Sequence, residues 1–396
     1  MAKNITIIGG GPAGIMAAIT AAKRGHSVVL YEKNNQLGKK LALTGGGRCN
    51  LTNTGDPEDH IRNVVNNASF LYGALYTFGS TQLMDFFEQL GLPLKVEQQR
   101  VFPKSDCSGD IVKALKVALV QHNVKVLLNS PITDIQPVLD KSDAVIVATG
   151  GCSYPGTGST GDGYRWARTL GHNVTDLRPA LVPMYAKTIH ENIPSLAGLS
   201  LNSVGFTLTR AGKDIFKETG ELLFTHKGIS GPLALKASSY LTSSYKDITA
   251  AIDLKPDLSF DKLDDEMLDT LNKHPNKSLE NILNMFFPKR LIPLLLAPLS
   301  LNTTETKANA LTKKERIIVL QTIKNLIFKV TGTAGFKEAV ITAGGVDVRE
   351  VNPSNMSSKK VPKLYFVGEI LDVDAYTGGF NLQIAFSTGF VAGSSI

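Results

Sequence analysis

The sequence predicts an α/β protein in which both ends of the chain form one Rossmann-like domain and the middle supplies inserted β-barrel-like and helical pieces. Three observations support this fold class. A strand, a glycine turn, a helix and a second strand follow one another between Asn4 and Glu32. Glycine-rich α/β character returns from Val340 to Ile396. Between these ends, short strands are followed by a run of helices.

The first βαβ unit is recognised from its apolar periodicity and from the glycines that mark its turn and the end of its helix. Apolar residues 4–8 read as a buried strand, residues 9–14 as a turn and the alanine-rich residues 15–24 as a helix. Gly25 is placed to end that helix in a left-handed conformation. Residues 27–32 then read as a second strand.

The next elements follow from helical and strand spacing. Helices are predicted from Ser80 and from Ser108, because apolar side chains recur there every three or four residues. Strands are predicted at residues 124–128 and 144–148, and the second of these ends in Thr149 and Gly150.

The pattern changes at about residue 183. Short strands are predicted at residues 207–209, 221–224 and 248–252, and helices around Met267, at residues 279–286 and at residues 317–327. The predicted boundaries are residues 1–183 and 340–396 for the Rossmann-like domain, 184–258 and 330–339 for a β-rich insert, and 259–329 for a helical insert.

Composition excludes several classes of protein. The chain has 396 residues, 43% hydrophobic and 19% charged, as is typical of a globular protein. Its three cysteines, Cys49, Cys107 and Cys152, form no metal-ligand spacing, which favours a reducing, cytoplasmic compartment and no metal site. No apolar run reaches about 18 residues, so no membrane span is expected. The net charge of +7 lacks a basic cluster interleaved with aromatics, so we expect a small-molecule substrate and not a nucleic acid.

The glycine turn carries the first chemical signal. Gly9, Gly11 and Gly14 satisfy GxGxxG between a strand and a helix, and Glu32 ends the following strand. Gly9 permits a tight turn, Gly11 lets the backbone approach a pyrophosphate, and Gly14 allows close helix packing. Glu32 can accept hydrogen bonds from a ribose diol and would repel a 2′-phosphate. The ligand is therefore an adenosine diphosphate, as in FAD or NAD.

Two further segments favour FAD. Residues 44–50, TGGGRCN, form a second glycine-rich loop directly after the ribose-binding strand, which suits a long extended cofactor. Near the C-terminus a strand ends in Gly368 and Glu369, where many flavoproteins have Gly-Asp to hold a ribityl hydroxyl. Residues 378–383 then look like a helix start whose N–H groups could face the flavin N1–C2=O edge.

These motifs resemble the FAD-dependent oxidoreductases related to aminoacetone oxidase and the BaiN-type flavoproteins, a group of NAD(P)/FAD-dependent enzymes. The matching pieces include IIGGGPAGIMAA, LGKKLALTGGGRCNLTN and FVGEILDVDAYTGGFNLQIA, and the likeness runs from about residue 5 to residue 393. It implies a discontinuous domain that binds FAD without a covalent link. The implied cofactor-lining residues are Gly9, Gly11, Pro12, Ala13, Gly14, Glu32, Lys33, Lys39, Lys40, Gly46, Gly47, Asn50, Ile132, Thr149, Gly150, Gly368, Glu369, Phe380, Asn381 and Leu382.

Other residues have two interpretations each. Residues 156–161 also fit GxGxxG and could cradle NAD(P)H, although a loop beside FAD is favoured. Cys49 is interpreted as a packed thiol because it has no cysteine near it in sequence. No catalytic side chain is identified, and weak candidates are Arg48, His226, Lys227 and Tyr376. Asp372 and Asp374 either meet a substrate amine or face water.

The resulting prediction is an FAD-dependent oxidoreductase that transfers hydride between a small organic substrate and flavin N5. Amine oxidation of the aminoacetone-oxidase type is favoured. The alternative is NAD(P)H-dependent reduction of conjugated enones, as in BaiN-type enzymes, and an RNA-acting flavoprotein is the least favoured. The sequence leaves the substrate, the direction of hydride transfer and the oligomeric state open.

Overall fold

A computed structural model describes residues 1–188, 196–242, 244–299 and 306–396. The strands, in chain order, are β1 (Asn4–Ile8), β2 (Ser27–Tyr31), β3 (Thr52–Asn53), β4 (Val64–Asn66), β5 (Leu94–Glu97), β6 (Arg100–Pro103), β7 (Lys125–Leu127), β8 (Ala144–Val147), β9 (Arg178–Ala180), β10 (Met184–Thr188), β11 (Ser200–Arg210), β12 (Lys213–Phe224), β13 (Gly228–Ser230), β14 (Ile248–Asp253), β15 (Leu326–Thr333), β16 (Ile341–Ala343), β17 (Leu364–Phe366) and β18 (Asp374–Ala375). The helices are α1 (Pro12–Lys23), α2 (Pro57–Arg62), α3 (Tyr72–Thr77), α4 (Ser80–Gln89), α5 (Ser108–Gln121), α6 (Gln136–Lys141), α7 (Asp162–Thr169), α8 (Gly231–Ser238), α9 (Phe260–Lys273), α10 (Leu279–Leu283), α11 (Ile292–Leu296), α12 (Lys313–Lys324) and α13 (Phe380–Ser395).

The chain forms two compact units. The first comprises Met1–Pro179 together with Phe336–Ile396, and the second comprises Ala180–Gly335. Each unit has its own hydrophobic core. Within the described residues, no helix is both long enough and apolar enough to cross a membrane.

The first unit is built on a parallel five-stranded sheet in the order β17-β8-β1-β2-β7. Strand β1 pairs in parallel with β2 and β8, so the sheet begins with the first residues of the chain. Strand β17, from the last part of the chain, pairs in parallel with β8. All four residues of β8 are buried, as expected for a central parallel strand covered on both faces. The predicted Rossmann-like α/β fold is confirmed, and both chain ends contribute to one sheet.

The first helix starts earlier than the sequence indicated. It begins at Pro12 instead of residue 15, because proline has a fixed φ suited to the first helical turn and no N–H that would need a partner. Half of the GxGxxG motif therefore belongs to the helix. At the other end Gly25 follows the helix with φ +86°, as predicted.

Helices α1 and α13 pack with their backbones close together. A Cβ on Gly389 would lie 2.2 Å from the carbonyl oxygen of Ala13, and a Cβ on Gly393 would lie 2.5 Å from that of Ala17. The two glycines are four residues apart and so share one face of α13. Only glycine at these positions lets the C-terminal helix lie directly on the helix that opens the nucleotide-binding unit.

The second unit contains a closed antiparallel barrel in the order β10-β13-β12-β11-β14-β15. Strands β11 and β12 form a hairpin whose two turn residues, Ala211 and Gly212, both have positive φ, as a two-residue hairpin turn requires. Along β15 buried and exposed residues alternate, so every second side chain points into the barrel.

Helices α9 to α12 lie between β14 and β15 in sequence. The helix predicted over residues 317–327 ends earlier, since α12 stops at Lys324. Ile327 is therefore wrongly assigned to a helix; it lies on β15 with 41% of its surface exposed. Beyond the helix the pattern changes to a period of two, in which the buried residues Leu326, Phe328 and Val330 alternate with exposed ones. This alternation is typical of a strand, and the prediction extended the helix into it.

Candidate functional site

The glycine turn between β1 and α1 has the shape that the motif predicts. Gly9 has φ +113°, and a Cβ there would lie 2.3 Å from the carbonyl oxygen of Ala148. A Cβ on Gly14 would lie 2.0 Å from the carbonyl oxygen of Gly9. A Cβ on Gly11, by contrast, would meet no atom within 4 Å. Gly9 and Gly14 are thus required by packing, while Gly11 borders open space beside the N-terminus of α1.

Glu32 directly follows β2 and is buried, with 8% of its surface exposed. Its Oε2 accepts a hydrogen bond from the backbone N–H of Gly10 at 2.8 Å, and its Oε1 accepts one from the backbone N–H of Asn34 at 2.8 Å. The carboxylate is therefore held at the edge of the glycine turn. The backbone N–H of Ser130 donates to the carbonyl of Glu32, which brings the loop containing half-buried Ile132 to the same end of the sheet.

The second glycine loop is joined directly to the first. The backbone N–H of Gly38 donates to the carbonyl oxygen of Gly10 at 2.8 Å. Further along, Gly45, Gly46 and Gly47 all have positive φ, a run that side-chain-bearing residues would strain to adopt. A Cβ on Gly46 or Gly47 would meet no atom within 4 Å. Like Gly11, these two glycines line open space.

Cys49 and Arg48, at the end of this loop, are engaged within the protein. Cys49 is fully buried, and burial raises the pKa of its thiol to about 12, so the thiol is protonated at physiological pH and is a packed group. The Arg48 guanidinium lies 2.7 Å from Glu97 and 2.7 Å from Asp106, and it stacks over the ring of Phe102. The structure thus places Arg48 in an exposed ion-pair network.

Lys40 and Glu369, which are 329 residues apart in sequence, form an ion pair. Lys40 Nζ lies 2.7 Å from Glu369 Oε2 and also donates to Ser153 Oγ at 2.7 Å. Glu369 Oε1 further accepts from Ser153 Oγ and from the backbone N–H of Thr342, both at 2.9 Å. Lys39 is half-buried next to this cluster in sequence. Sequence reasoning missed Ser153 and Thr342, since no local motif marks a residue whose partner lies in another segment.

The N-terminus of α13 is fixed by the second loop. Gly379 has φ +97°, and a Cβ there would lie 2.3 Å from the carbonyl carbon of Thr52. With its amide oriented to satisfy both neighbours, Asn50 accepts from the backbone N–H of Gly379 at 3.1 Å and donates to Thr52. Thr52 Oγ1 in turn donates to the buried Gln383 at 2.6 Å. Residues around position 50 therefore position the first turn of the last helix.

Asn381 has a positioning role that its motif did not reveal. Its Oδ1 accepts from the backbone N–H of Ala375, and its Nδ2 donates to the carbonyls of Ala375 and Tyr376. The side chain thus ties the segment before α13 to the first helical turn. Phe380 is buried and packs edge-on against His60, while Leu382 is half-buried.

Gly368 joins the C-terminal segment to the first glycine turn. It has φ +75°, and a Cβ there would lie 2.9 Å from the Cβ of Ala13. Its backbone N–H donates to Thr388 Oγ1 on α13. The structure thus brings Ala13, Lys40, Asn50 and Glu369 into one assembly.

The strand end at residues 149–150 and the second GxGxxG lie on the Glu32 side. Gly150 has φ +70°, and Thr149 Oγ1 is buried with no hydrogen-bond partner among the described residues. Residues 156–161 contact the chain just beyond Glu32. Lys33 donates to Thr160 Oγ1 and to Asp162 Oδ2, and Asn34 donates to the carbonyl of Thr157.

The remaining catalytic candidates are dispersed. His226 and Lys227 lie in the second unit, between β12 and β13, and the Lys227 ammonium lies over the ring of Tyr185. Tyr376 is half-buried in the first unit, directly after β18. Within the described part of the chain, no group of three or more His, Cys, Asp and Glu side chains could hold a metal ion.

The residues present fit FAD. A Cβ on Gly11, Gly46 or Gly47 would meet no atom within 4 Å, and Gly11 lies at the N-terminus of α1, where free N–H groups favour a pyrophosphate. Glu32 lies at one end of the first unit's glycine turns, and the N-terminus of α13 lies beside the second loop. The first turn of α13 contains no acidic residue, so no side chain of that turn compensates the partial positive charge of the helix N-terminus.

Comparisons with known proteins show the family and the fold of the chain. The sequence profile described as the HI0933-like protein Rossmann domain matches residues 3–395. The chain is 31% identical to a ribosomal RNA dihydrouridine synthase of Escherichia coli, over 98% of this chain and 97% of that protein. It is also 31% identical to a 3-dehydro-bile acid delta(4,6)-reductase of Clostridium scindens, over 99% and 98% of the two chains. The structure of a 3-ketosteroid-delta4-(5alpha)-dehydrogenase from Rhodococcus jostii matches 99% of this chain and 96% of its own, with a TM-score of 0.50 and 14% identity, which shows a shared fold.

Proposed function

The chain belongs to the HI0933-like Rossmann family and is an FAD-dependent oxidoreductase, and we propose that it reduces a carbon–carbon double bond conjugated to a carbonyl group. The observation that carries the proposal is the pair of relatives that match nearly the whole chain, a dihydrouridine synthase and a bile acid delta(4,6)-reductase. Uracil has a C5=C6 bond next to the C4 carbonyl, and a 3-dehydro steroid with a Δ4 bond is a conjugated enone. Both names describe saturation of the same kind of bond.

The residues of the first unit support flavin chemistry of this kind. Bound FAD supplies a hydride donor or acceptor at N5. The backbone N–H groups at the start of α13 can face the N1–C2=O edge of an isoalloxazine ring and stabilise negative charge there. Asn50 and Asn381 hold that helix terminus in place from two sides. Glu369 Oε2 accepts a hydrogen bond from Lys40, and its second lone pair can accept one from a ribityl hydroxyl.

Amine oxidation of the aminoacetone-oxidase type is the competing direction, and the sequence resemblance favours it. It needs a substrate amine as hydride donor and oxygen as acceptor. The reductive direction needs NAD(P)H as electron donor. Residues 156–161 contact Lys33 and Asn34, next to the proposed adenosine end of FAD. This supports their interpretation as part of the FAD site and leaves the NAD(P)H site unassigned.

The substrate could be small or part of an RNA, since both classes contain the proposed bond. The net charge of +7 is compatible with either. A small-molecule substrate, as the sequence predicts, and an RNA substrate give different results in the same assay, so both are included as arms of the test.

The test is anaerobic reduction and reoxidation of the purified holoprotein. The protein is mixed separately with NADH, NADPH and aminoacetone, and the visible flavin absorbance is followed. Reduced protein then receives a Δ4-3-ketosteroid, uridine or unmodified ribosomal RNA. We expect bleaching by a nicotinamide and anaerobic recovery of colour with a conjugated substrate.

The control is the Gly11→Ala variant, in which the methyl group would enter the open space beside α1 and weaken binding of the cofactor. Bleaching by aminoacetone alone, with no reoxidation by any conjugated substrate, would establish amine oxidation and overturn the proposal. Reoxidation by RNA but not by the steroid or uridine would keep the reaction and assign it to RNA.

A further inference from the structure

Asp374 is a buried carboxylate just before the helix terminus proposed to face the flavin. It starts β18, which pairs with β4 opposite Asn66, and only 1% of its surface is exposed. Its Oδ1 accepts a hydrogen bond from Asn66 Nδ2 at 2.5 Å. Its Oδ2 is buried and has no hydrogen-bond partner among the residues that the structure describes. A buried carboxylate with one oxygen unsatisfied is unfavourable for folding.

Two charged side chains act electrostatically on this carboxyl group. Arg178 on β9 stabilises its ionised form, and Asp372, two residues earlier, opposes ionisation. Arg178 Nε is itself buried without a partner in the described part of the chain, so the guanidinium does not complete an ion pair through that atom. Burial is the dominant influence and raises the pKa of Asp374 to about 6. At neutral pH the group is therefore ionised although it is buried.

This shift determines how Asp374 affects stability. The folded-state pKa lies above the ordinary aspartate value of 3.8, so between these two values the folded chain holds a proton that the unfolded chain has lost. The free energy of unfolding therefore falls as pH rises through this window, and the loss persists at neutral pH. A neutral group of the same shape would be more stable there. The ionised carboxylate therefore lowers the stability of the fold at neutral pH.

The position of Asp374 shows what the charge can act on. The next residue, Ala375, exchanges two hydrogen bonds with Asn381 in the first turn of α13. The carboxylate is thus coupled through one residue to the N-terminus of that helix. A negative charge in a poorly solvated region opposes the positive potential of the terminus.

We propose that Asp374 is a positioning residue whose carboxylate offsets the positive N-terminus of α13 and so makes the bound flavin a stronger hydride donor. This inference rests on the assignment of that terminus to the flavin and serves the reductive direction proposed above. When the negative charge at the N1–C2=O edge of the reduced flavin is stabilised less well, the reduced flavin gives up hydride more readily. Proton uptake by Asp374 removes the offset, and the flavin then becomes easier to reduce.

The experiment compares the wild-type holoprotein with Asp374→Asn, which keeps the shape and removes the charge. The flavin midpoint potential and the urea midpoint of the cofactor-free protein are measured at pH 5 and pH 8. At pH 8 we expect Asp374→Asn to have a more positive flavin potential and a higher urea midpoint than the wild type. Both differences should shrink at pH 5, where wild-type Asp374 is largely protonated.

The control is Asp85→Asn, which makes the same charge change at an exposed position on α4 and should leave both quantities at wild-type values. A less stable or unfolded Asp374→Asn variant would overturn the inference, because the carboxylate would then serve the fold. An unchanged flavin potential in a more stable variant would also overturn it. Neither readout uses a substrate, so failure of the proposed reaction would be seen separately.

Discussion

Gly14 and Gly11 of the first turn have different physical roles: a Cβ on Gly14 would collide with the backbone of Gly9, while a Cβ on Gly11 would project into open space. Gly11 also has an extended conformation, with φ −84° and ψ −178°, that alanine adopts easily. Gly14 therefore serves packing, and Gly11 serves the approach of a ligand.

Substituting each by alanine separates these roles. Gly11→Ala should change the free energy of unfolding by no more than about 0.5 kcal/mol. It should weaken FAD binding at least tenfold, or by about 1.4 kcal/mol. Gly14→Ala should destabilise the fold by roughly 1–3 kcal/mol or more, because backbone must move. Urea unfolding of the cofactor-free proteins and fluorescence titration with FAD provide both values. Equal losses of stability in the two variants would contradict this division.

At the residue scale, the sequence predicted the backbone conformation of the glycine turn, but it did not predict the partners of charged side chains. The turn at Gly9 to Gly14 follows from local geometry, so its residues could be identified from spacing alone. The partners of Arg48 could not, because Glu97 and Asp106 lie 49 and 58 residues away in the chain. The same holds for Lys40 and Glu369, whose pairing depends on how distant segments fold together.

At the scale of elements, the packing of α13 on α1 links the end of the chain to its beginning. Gly389 lies at the contact, where a Cβ would be 2.2 Å from the carbonyl oxygen of Ala13. The sequence showed a glycine-rich C-terminal segment but could not show which helix it meets. Helix α1 could be predicted because its start is marked by glycines and its end by Gly25. The closed barrel could not, since pairing of β10 with β15 joins strands that are far apart in sequence.

Gly389→Ala should therefore separate the two helices. We expect a loss of roughly 1–3 kcal/mol in the free energy of unfolding. FAD binding should weaken as well, because Ala13 lies in the glycine turn. The matched control is Gly73→Ala on α3, where the new methyl group would lie no closer than 3.5 Å to any neighbour. That helical substitution should stabilise the protein by roughly 0.5–1 kcal/mol. A Gly389→Ala protein as stable as the control would show that the close approach is not required.

At the scale of the whole molecule, the first unit joins three segments of the chain into one assembly, which we propose as the FAD site. Gly38 bonds to Gly10, Asn50 bonds to Gly379, and Gly368 lies against Ala13. The second unit is inserted between Pro179 and Phe336, so the site in the first unit is completed only after the whole insert has been made. In this proposal the initial glycine motif binds the adenosine diphosphate, and the other two segments bind the flavin half.

The most direct test of this account is hydrogen–deuterium exchange of the protein with and without FAD, resolved by peptide. Cofactor binding should slow exchange together in peptides that cover residues 9–14, 38–50 and 368–382. Peptides from the barrel strands β11 and β12 serve as the internal reference and should change little. Slower exchange at residues 9–14 alone, with residues 38–50 and 368–382 unaffected, would contradict a cofactor site assembled from both ends of the chain.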